Sequence, residues 1–160
     1  MPTVAFKEAK KIGRWFEAQV RDVLREVGKE KGIELIDSEK LKYRDKRGWD
    51  CEVRLRSGAR CKVEVKYDER SEATGNVAIE PLAVGHSISP IWIYGLPYAS
   101  RIDLYAMFLA DLKEYAYQYY KAHPGAIRRA GEFGDWVILV PKWEFVSQSF
   151  VRKLKTINLN

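Results

Sequence analysis

The chain has 160 residues, 46% of them hydrophobic and 31% charged, with a formal net charge of +6. That balance fits one globular domain spanning 1–160 with room for a core, and no run of about 18 apolar residues exists to cross a membrane. The stretch MPTVAFKEAKK lacks an apolar secretory core, so an intracellular protein is expected, and the positive balance mildly favours a polyanionic partner.

Phe6, Ile12, Phe16, Val20, Val23, Leu24 and Val27 recur at helical spacing, which predicts a helix over 6–30. Lys7, Lys10, Lys11, Arg14, Arg21 and Arg25 decorate its polar side. GIELID (32–37) is a short strand, and residues 48–67 form a hairpin. TGNVAIEP (74–81) is a strand entered through Gly-Asn. Residues 83–101 are expected to be loop-like, with Gly85, Pro90, Gly95, Pro97 and an exposed aromatic set, Trp92, Tyr94 and Tyr98. RIDLYAMFLA (101–110) is a buried strand. DLKEYAYQYYKA (111–122) is a helix with Asp111 as N-cap and Glu114 at the capping-box spacing. DWVILVP (135–141) is a buried strand, and Pro141 opens a last helix to about Leu154, ending in a basic tail. The sum is an α/β domain with a mixed sheet covered by helices.

The hairpin carries the chemistry. RSG at 56–58 has the composition of a three-residue loop with Gly in the left-handed position. That loop pairs Leu55 with Ala59, Val53 with Cys61 and Cys51 with Val63. Cys51, Val53, Leu55, Cys61, Val63 and Val65 then share a core face, and Asp50, Glu52, Lys62, Glu64 and Lys66 share the other, with Asp50 opposite Glu64. The cysteines are offset diagonally, which suits reduced thiols. The chain's two Cys and two His, His86 and His123, have no zinc-type spacing. Opposed carboxylates in a sheet need compensation. A hard divalent cation held by oxygen, Mg²⁺ or Mn²⁺, would supply it. The plainer alternative is a solvated face of mixed Lys and Glu.

Asp50, then thirteen residues, then Glu64-Val65-Lys66 resembles the PD-(D/E)XK nuclease superfamily, with Trp49 where the family has Pro. Glu17 in GRWFEAQV resembles the helix-borne acid of many members, Holliday-junction resolvases among them. TGNVAIEP, with Glu80, and RIDLYAMF resemble phage-type members. The resemblance implies a restriction-endonuclease-like mixed β-sheet flanked by helices, with an α-β-β-β-α-β core. It implies a Mg²⁺- or Mn²⁺-dependent DNA nuclease that hydrolyses phosphodiester bonds. Asp50 and Glu64 would hold the metal, helped by the Val65 carbonyl and Glu17. Lys66 would orient the attacking water, and Glu80 would bind a second metal or hydrogen-bond to Lys66.

DNA phosphates would meet Lys10, Lys11 and Arg14 before Glu17, and Arg54 and Lys62 on the hairpin. Arg101 and the tail's Arg152, Lys153 and Lys155 are weaker candidates. Glu17 has the alternative of an ion pair with Arg21, four residues on. Asp68, Glu69 and Glu72 look like a solvated turn, Asp103 like a structural acid, and the histidines like bystanders. The aromatics of SPIWIYGLPYASR (89–101) offer stacking for unpaired bases, or else make a dimer contact or pack on the core. The aromatics of YAYQYY suggest a homodimer contact. A dimeric junction resolvase and a non-catalytic nucleic-acid-binding module on the same fold are the alternative functions.

Overall fold

A computed structural model describes residues 4–36, 50–130 and 134–159, with the side chains of 4–10 and 130 left aside. Lys10, Phe6 and Lys7, as side chains, and Trp49 lie outside the described residues. Five helices are described: α1 (Val4–Lys31), α2 (Ser71–Thr74), α3 (Pro81–His86), α4 (Leu109–Ala122) and α5 (Lys142–Val146). The strands are β1 (Ile33–Leu35), β2 (Cys51–Leu55), β3 (Arg60–Tyr67), β4 (Asn76–Ile79), β5 (Ile91–Tyr98), β6 (Arg101–Phe108), β7 (Ile127–Ala130), β8 (Asp135–Pro141) and β9 (Arg152–Asn158).

Six strands form one mixed sheet in the order β1-β2-β3-β5-β6-β9, and β4-β8-β7 form a smaller one. β3 and β5 run parallel, and the other pairs are antiparallel. A parallel neighbour needs a crossover, which the segment carrying α2, β4 and α3 provides. α1 covers one face of the large sheet. Its Phe16, Val20, Val23 and Leu24 are buried against Val53, Val63, Val65, Ile93 and Leu104. Burial of each such side chain contributes about 1.5–3 kcal/mol. The other face carries Trp92, Tyr94, Tyr105 and Met107 beneath α4, α5 and the small sheet.

The hairpin register is the one its pattern specifies. Cys51 pairs with Val63 and Val53 with Cys61, and Leu55 donates its N–H to Ala59 at 2.9 Å. Gly58 has φ 91°, the left-handed backbone that closes a three-residue loop. Cys51 and Cys61 are both free thiols. Burial above all pushes Cys51 up to about 12, so it stays protonated at neutral pH.

Four expectations fail for physical reasons. The segment 83–101 is not a loop but α3 and the central strand β5, because IWIYGLPY is buried on both faces and therefore shows no alternation. Gly95 is required there: a Cβ would stand 2.1 Å from Phe16 Cζ. The strand of 74–81 leaves the large sheet for the small one, so β1 rather than β4 completes the first three strands. Asp111 is not the N-cap of α4. Phe108 occupies that position with no side-chain cap, and Leu109 N–H reaches the Pro90 carbonyl at 2.7 Å. The last helix stops at Val146, and the basic tail is strand β9 with Leu154 in the core. β7, in IRRA, had no periodicity long enough to reveal it.

Candidate functional site

The site forms where β2 begins and β3 meets β5. Asp50 N–H donates to the Val63 carbonyl at 2.8 Å, although Val63 is the ladder partner of Cys51. Asp50 and Cys51 therefore both stand against Val63, as in a β-bulge, which re-aims a side chain. Asp50 is thus not squarely opposite Glu64. Its Oδ2 turns along β3 and accepts the Val65 N–H at 2.7 Å. Within a strand, N–H and C=O of one residue point the same way, so the Val65 carbonyl opens toward Asp50 as well. Arg21 donates to the Asp50 carbonyl at 2.6 Å and so holds the entry to β2 from α1.

Glu64 and Lys66 project from the opposite face to α1, next to Trp92 and Tyr94, their neighbours on β5. Lys66 Nζ lies 4.0 Å from Glu64 Oε1 and 5.8 Å from the centre of the Trp92 ring. Burial comes first in raising the Glu64 carboxyl to about 7, the charges of Asp50 and Glu80 add to it, and Lys66 opposes them. Glu80 follows β4 and precedes Pro81 of α3. With Lys66, Asp68, Ala78, Trp92 and Tyr94 it lines a small pocket of about 80 Å³.

Asp68, which looked like part of a solvated turn, belongs to this pocket. Its Oδ2 accepts the Ala78 N–H at 2.7 Å, tying β4 to the end of β3. Burial raises its pKa, and the hydrogen bonds from Ala78 and Ser71 oppose that rise. The signal was available: Glu64, Lys66 and Asp68 continue one period-2 alternation. Trp92 and Tyr94 had no local signal, since only the parallel β3–β5 pairing brings them in.

Glu17 is half-buried on α1, on the Asp50 side. Its charge is felt at the Cys51 thiol, whereas Glu64 and Lys66 emerge across the sheet. The solvated-face alternative holds at the turn end of the hairpin. Glu34, Arg54 and Arg60 are exposed there, and Arg60 Nε pairs with Glu52 Oε1 at 3.0 Å. Lys62, half-buried, sits between that region and Glu64 on the same face. Lys11 and Arg14 are exposed on α1. Arg101 opens β6 opposite Tyr98 and lies 3.4 Å from the buried Asp103, which Lys153 and Thr156 also contact. Among the described residues, no three of His, Cys, Asp and Glu come close enough together to hold a metal ion, and no helix is long and apolar enough to cross a membrane.

No family model, curated protein or solved structure matches the chain.

Proposed function

We propose that the chain is a Mg²⁺-dependent deoxyribonuclease of the PD-(D/E)XK type with a restriction-endonuclease-like fold. The observation that carries this reading is the Asp50–Val65–Glu64–Lys66 arrangement: a carboxylate folded onto the backbone of the very strand that presents a second carboxylate and an ammonium. The succession α1, β1, β2, β3, a crossover with short helices, then β5 supports it, because that is the α-β-β-β-α-β order the motif implies.

The residues present fit a hard divalent ion. Glu64 is half-buried under the negative field of Asp50 and Glu80, with Lys66 as its nearby cation. Such a carboxylate gains from an added positive charge. Asp50, Glu64 and the Val65 carbonyl are oxygen donors, and Mg²⁺ is content with one or two carboxylates plus water. Bound there, the ion would supply positive charge to a phosphate oxygen and a water of lowered pKa. Asp50 holds its place through Val65 N–H. Lys66, steadied against Trp92, donates toward the attacking water and the charge that develops on the phosphate. Glu80 faces Lys66 across the small pocket and orients it. Glu17 acts on the Asp50 end rather than on the water.

The test is incubation of wild type and Lys66→Ala with labelled single strand, duplex, flap and four-way junction DNA, in Mg²⁺, Mn²⁺ or EDTA. Metal-dependent cutting that Lys66→Ala lacks is the expected result. Cutting that survives Lys66→Ala overturns the assignment. Salt-sensitive binding without any cutting would make the chain a binding module on the same fold.

A further inference from the structure

The aromatics that sequence suggested for base stacking, Trp92 and Tyr94, are buried in the core. A different aromatic surface is open. Tyr117 and Tyr120 of α4 are 58% and 42% exposed. They lie three residues apart, hence on one helix face. They wall an apolar groove of about 430 Å³ floored by Val84, Ala116 and Ile138, within the ~300–1,000 Å³ typical of ligand clefts. Among the described residues, Lys113 is the one charged residue in the lining. Lys121 Nζ sits 5.3 Å from the Tyr117 ring centre.

We infer that this groove binds unpaired nucleobases of single-stranded DNA, so that the nuclease acts on substrates with a single-stranded arm. The inference rests on the nuclease reading above. Tyrosine rings offer every base a stacking face, and cations flanking an apolar floor suit a phosphate backbone. The groove also starts at the right place: Glu80 lines the pocket at Lys66, and the next residue, Pro81, lines the groove. A strand leaving the reactive phosphate needs to pass only the β4–α3 junction. A second copy of the chain is the poorer occupant, because a two-fold contact on this face would gather Lys113 and Lys121 of both copies into one interface.

The experiment is fluorescence anisotropy of a labelled single strand and of a duplex of equal length, in EDTA so that binding is read without cleavage. Tyr117→Ala/Tyr120→Ala is expected to weaken single-strand binding roughly 10-fold or more, with little change on duplex. Tyr117→Phe/Tyr120→Phe keeps the rings and should bind within about 2-fold of wild type. Lys113→Glu, on the rim and no threat to folding, should weaken binding and lower its salt slope by about 1 or more. Unchanged single-strand affinity in the alanine and Lys113→Glu variants overturns the inference. So does equal loss in the phenylalanine pair, or a dimer that the alanine pair dissolves while DNA affinity stays the same. Groove-dependent binding with no cleavage of any DNA in Mg²⁺ would leave the groove standing and remove the nuclease. Cleavage together with groove-independent binding would do the reverse.

Discussion

The Asp50 carboxylate accepts the Val65 backbone N–H at 2.7 Å, so one side chain both closes the open end of the β2–β3 ladder and faces the strand that carries Glu64 and Lys66. Structure and chemistry therefore separate by substitution. Asp50→Asn keeps an oxygen acceptor for Val65 and should stay within about 1 kcal/mol of wild type in denaturant unfolding. Asp50→Ala leaves that N–H without its partner and should cost about 1–3 kcal/mol. Both should abolish metal-dependent cleavage. Wild-type cleavage by Asp50→Asn would remove Asp50 from the metal site.

Glu64 links stability to pH. Its carboxyl is raised to about 7 in the fold, chiefly by burial, from an ordinary 4.5. Between those values the folded chain holds a proton at Glu64 that the unfolded chain has released, so the contribution of Glu64 to stability is greatest below about pH 4.5, falls as pH rises to about 7, and is level beyond. Glu64→Gln removes that part of the slope and leaves the part that belongs to Asp68. It should match wild type near pH 4 and exceed it by roughly 1–3 kcal/mol near pH 8. Mg²⁺ should raise the melting temperature of wild type near pH 8 and leave Glu64→Gln unmoved. Thermal melts across this range decide it, and identical pH profiles for the two proteins would show that Glu64 is not held in the environment described.

Gly95 and Phe16 are a matched pair. A Cβ at 95 would overlap the Phe16 ring, 2.1 Å from Cζ, and that ring stacks on Tyr67 with centroids 4.9 Å apart. Gly95→Ala should therefore cost about 3 kcal/mol or more, at the upper end for an overpacked core. Phe16→Ala alone should cost about 3–5 kcal/mol. The double variant should be less destabilised than the sum, because the alanine methyl then occupies space that the ring vacated. Strict additivity in urea unfolding would mean that β5 shifts instead of clashing.

How far the sequence could be read follows from the range of the interactions. The β2–β3 register was legible because charge and apolar residues alternate along both arms, Cys51 to Arg56 and Ala59 to Lys66, and a one-residue slip would bury charge. α1 was legible from the spacing of Phe16, Val20, Val23 and Leu24. β5 was not, since a strand buried on both faces loses its alternation, and Gly95 and Pro97 imitate loop punctuation. What makes Gly95 necessary is Phe16, distant in sequence. β9 was hidden for a related reason: VRKLKT carries its core residues, Val151 and Leu154, among charges that suit a helix as well as a sheet edge. The site divides along the same line. Asp50, Glu64 and Lys66 could be named from one hairpin, whereas Asp68, Trp92 and the Glu80 junction depend on the crossover to the small sheet. The bulge that turns Asp50 onto Val65 left no mark in the pattern of residue types.

The basic residues should sort by face. Arg54 and Lys62 occupy the same side of the hairpin as Glu64 and Lys66, so a backbone lying across the site meets them. Arg101 is bound up with Asp103, whose carboxylate is almost wholly buried and is also reached by Lys153 at 3.5 Å and Thr156 at 2.7 Å. Each phosphate contact removed should lower the slope of log affinity against log salt by about 0.9. Arg54→Ala and Lys62→Ala are therefore each expected to weaken duplex binding and flatten that slope by about 1. Arg101→Ala should leave the slope alone and instead lower stability by about 1 kcal/mol, the modest value of an ion pair with one exposed partner. Binding isotherms at three or more salt concentrations on a non-cleaving Lys66→Ala background separate the two behaviours. A slope change for Arg101→Ala equal to that of Lys62→Ala would mean that DNA lies along the Asp103 end of the sheet, and the path across the hairpin would have to be abandoned.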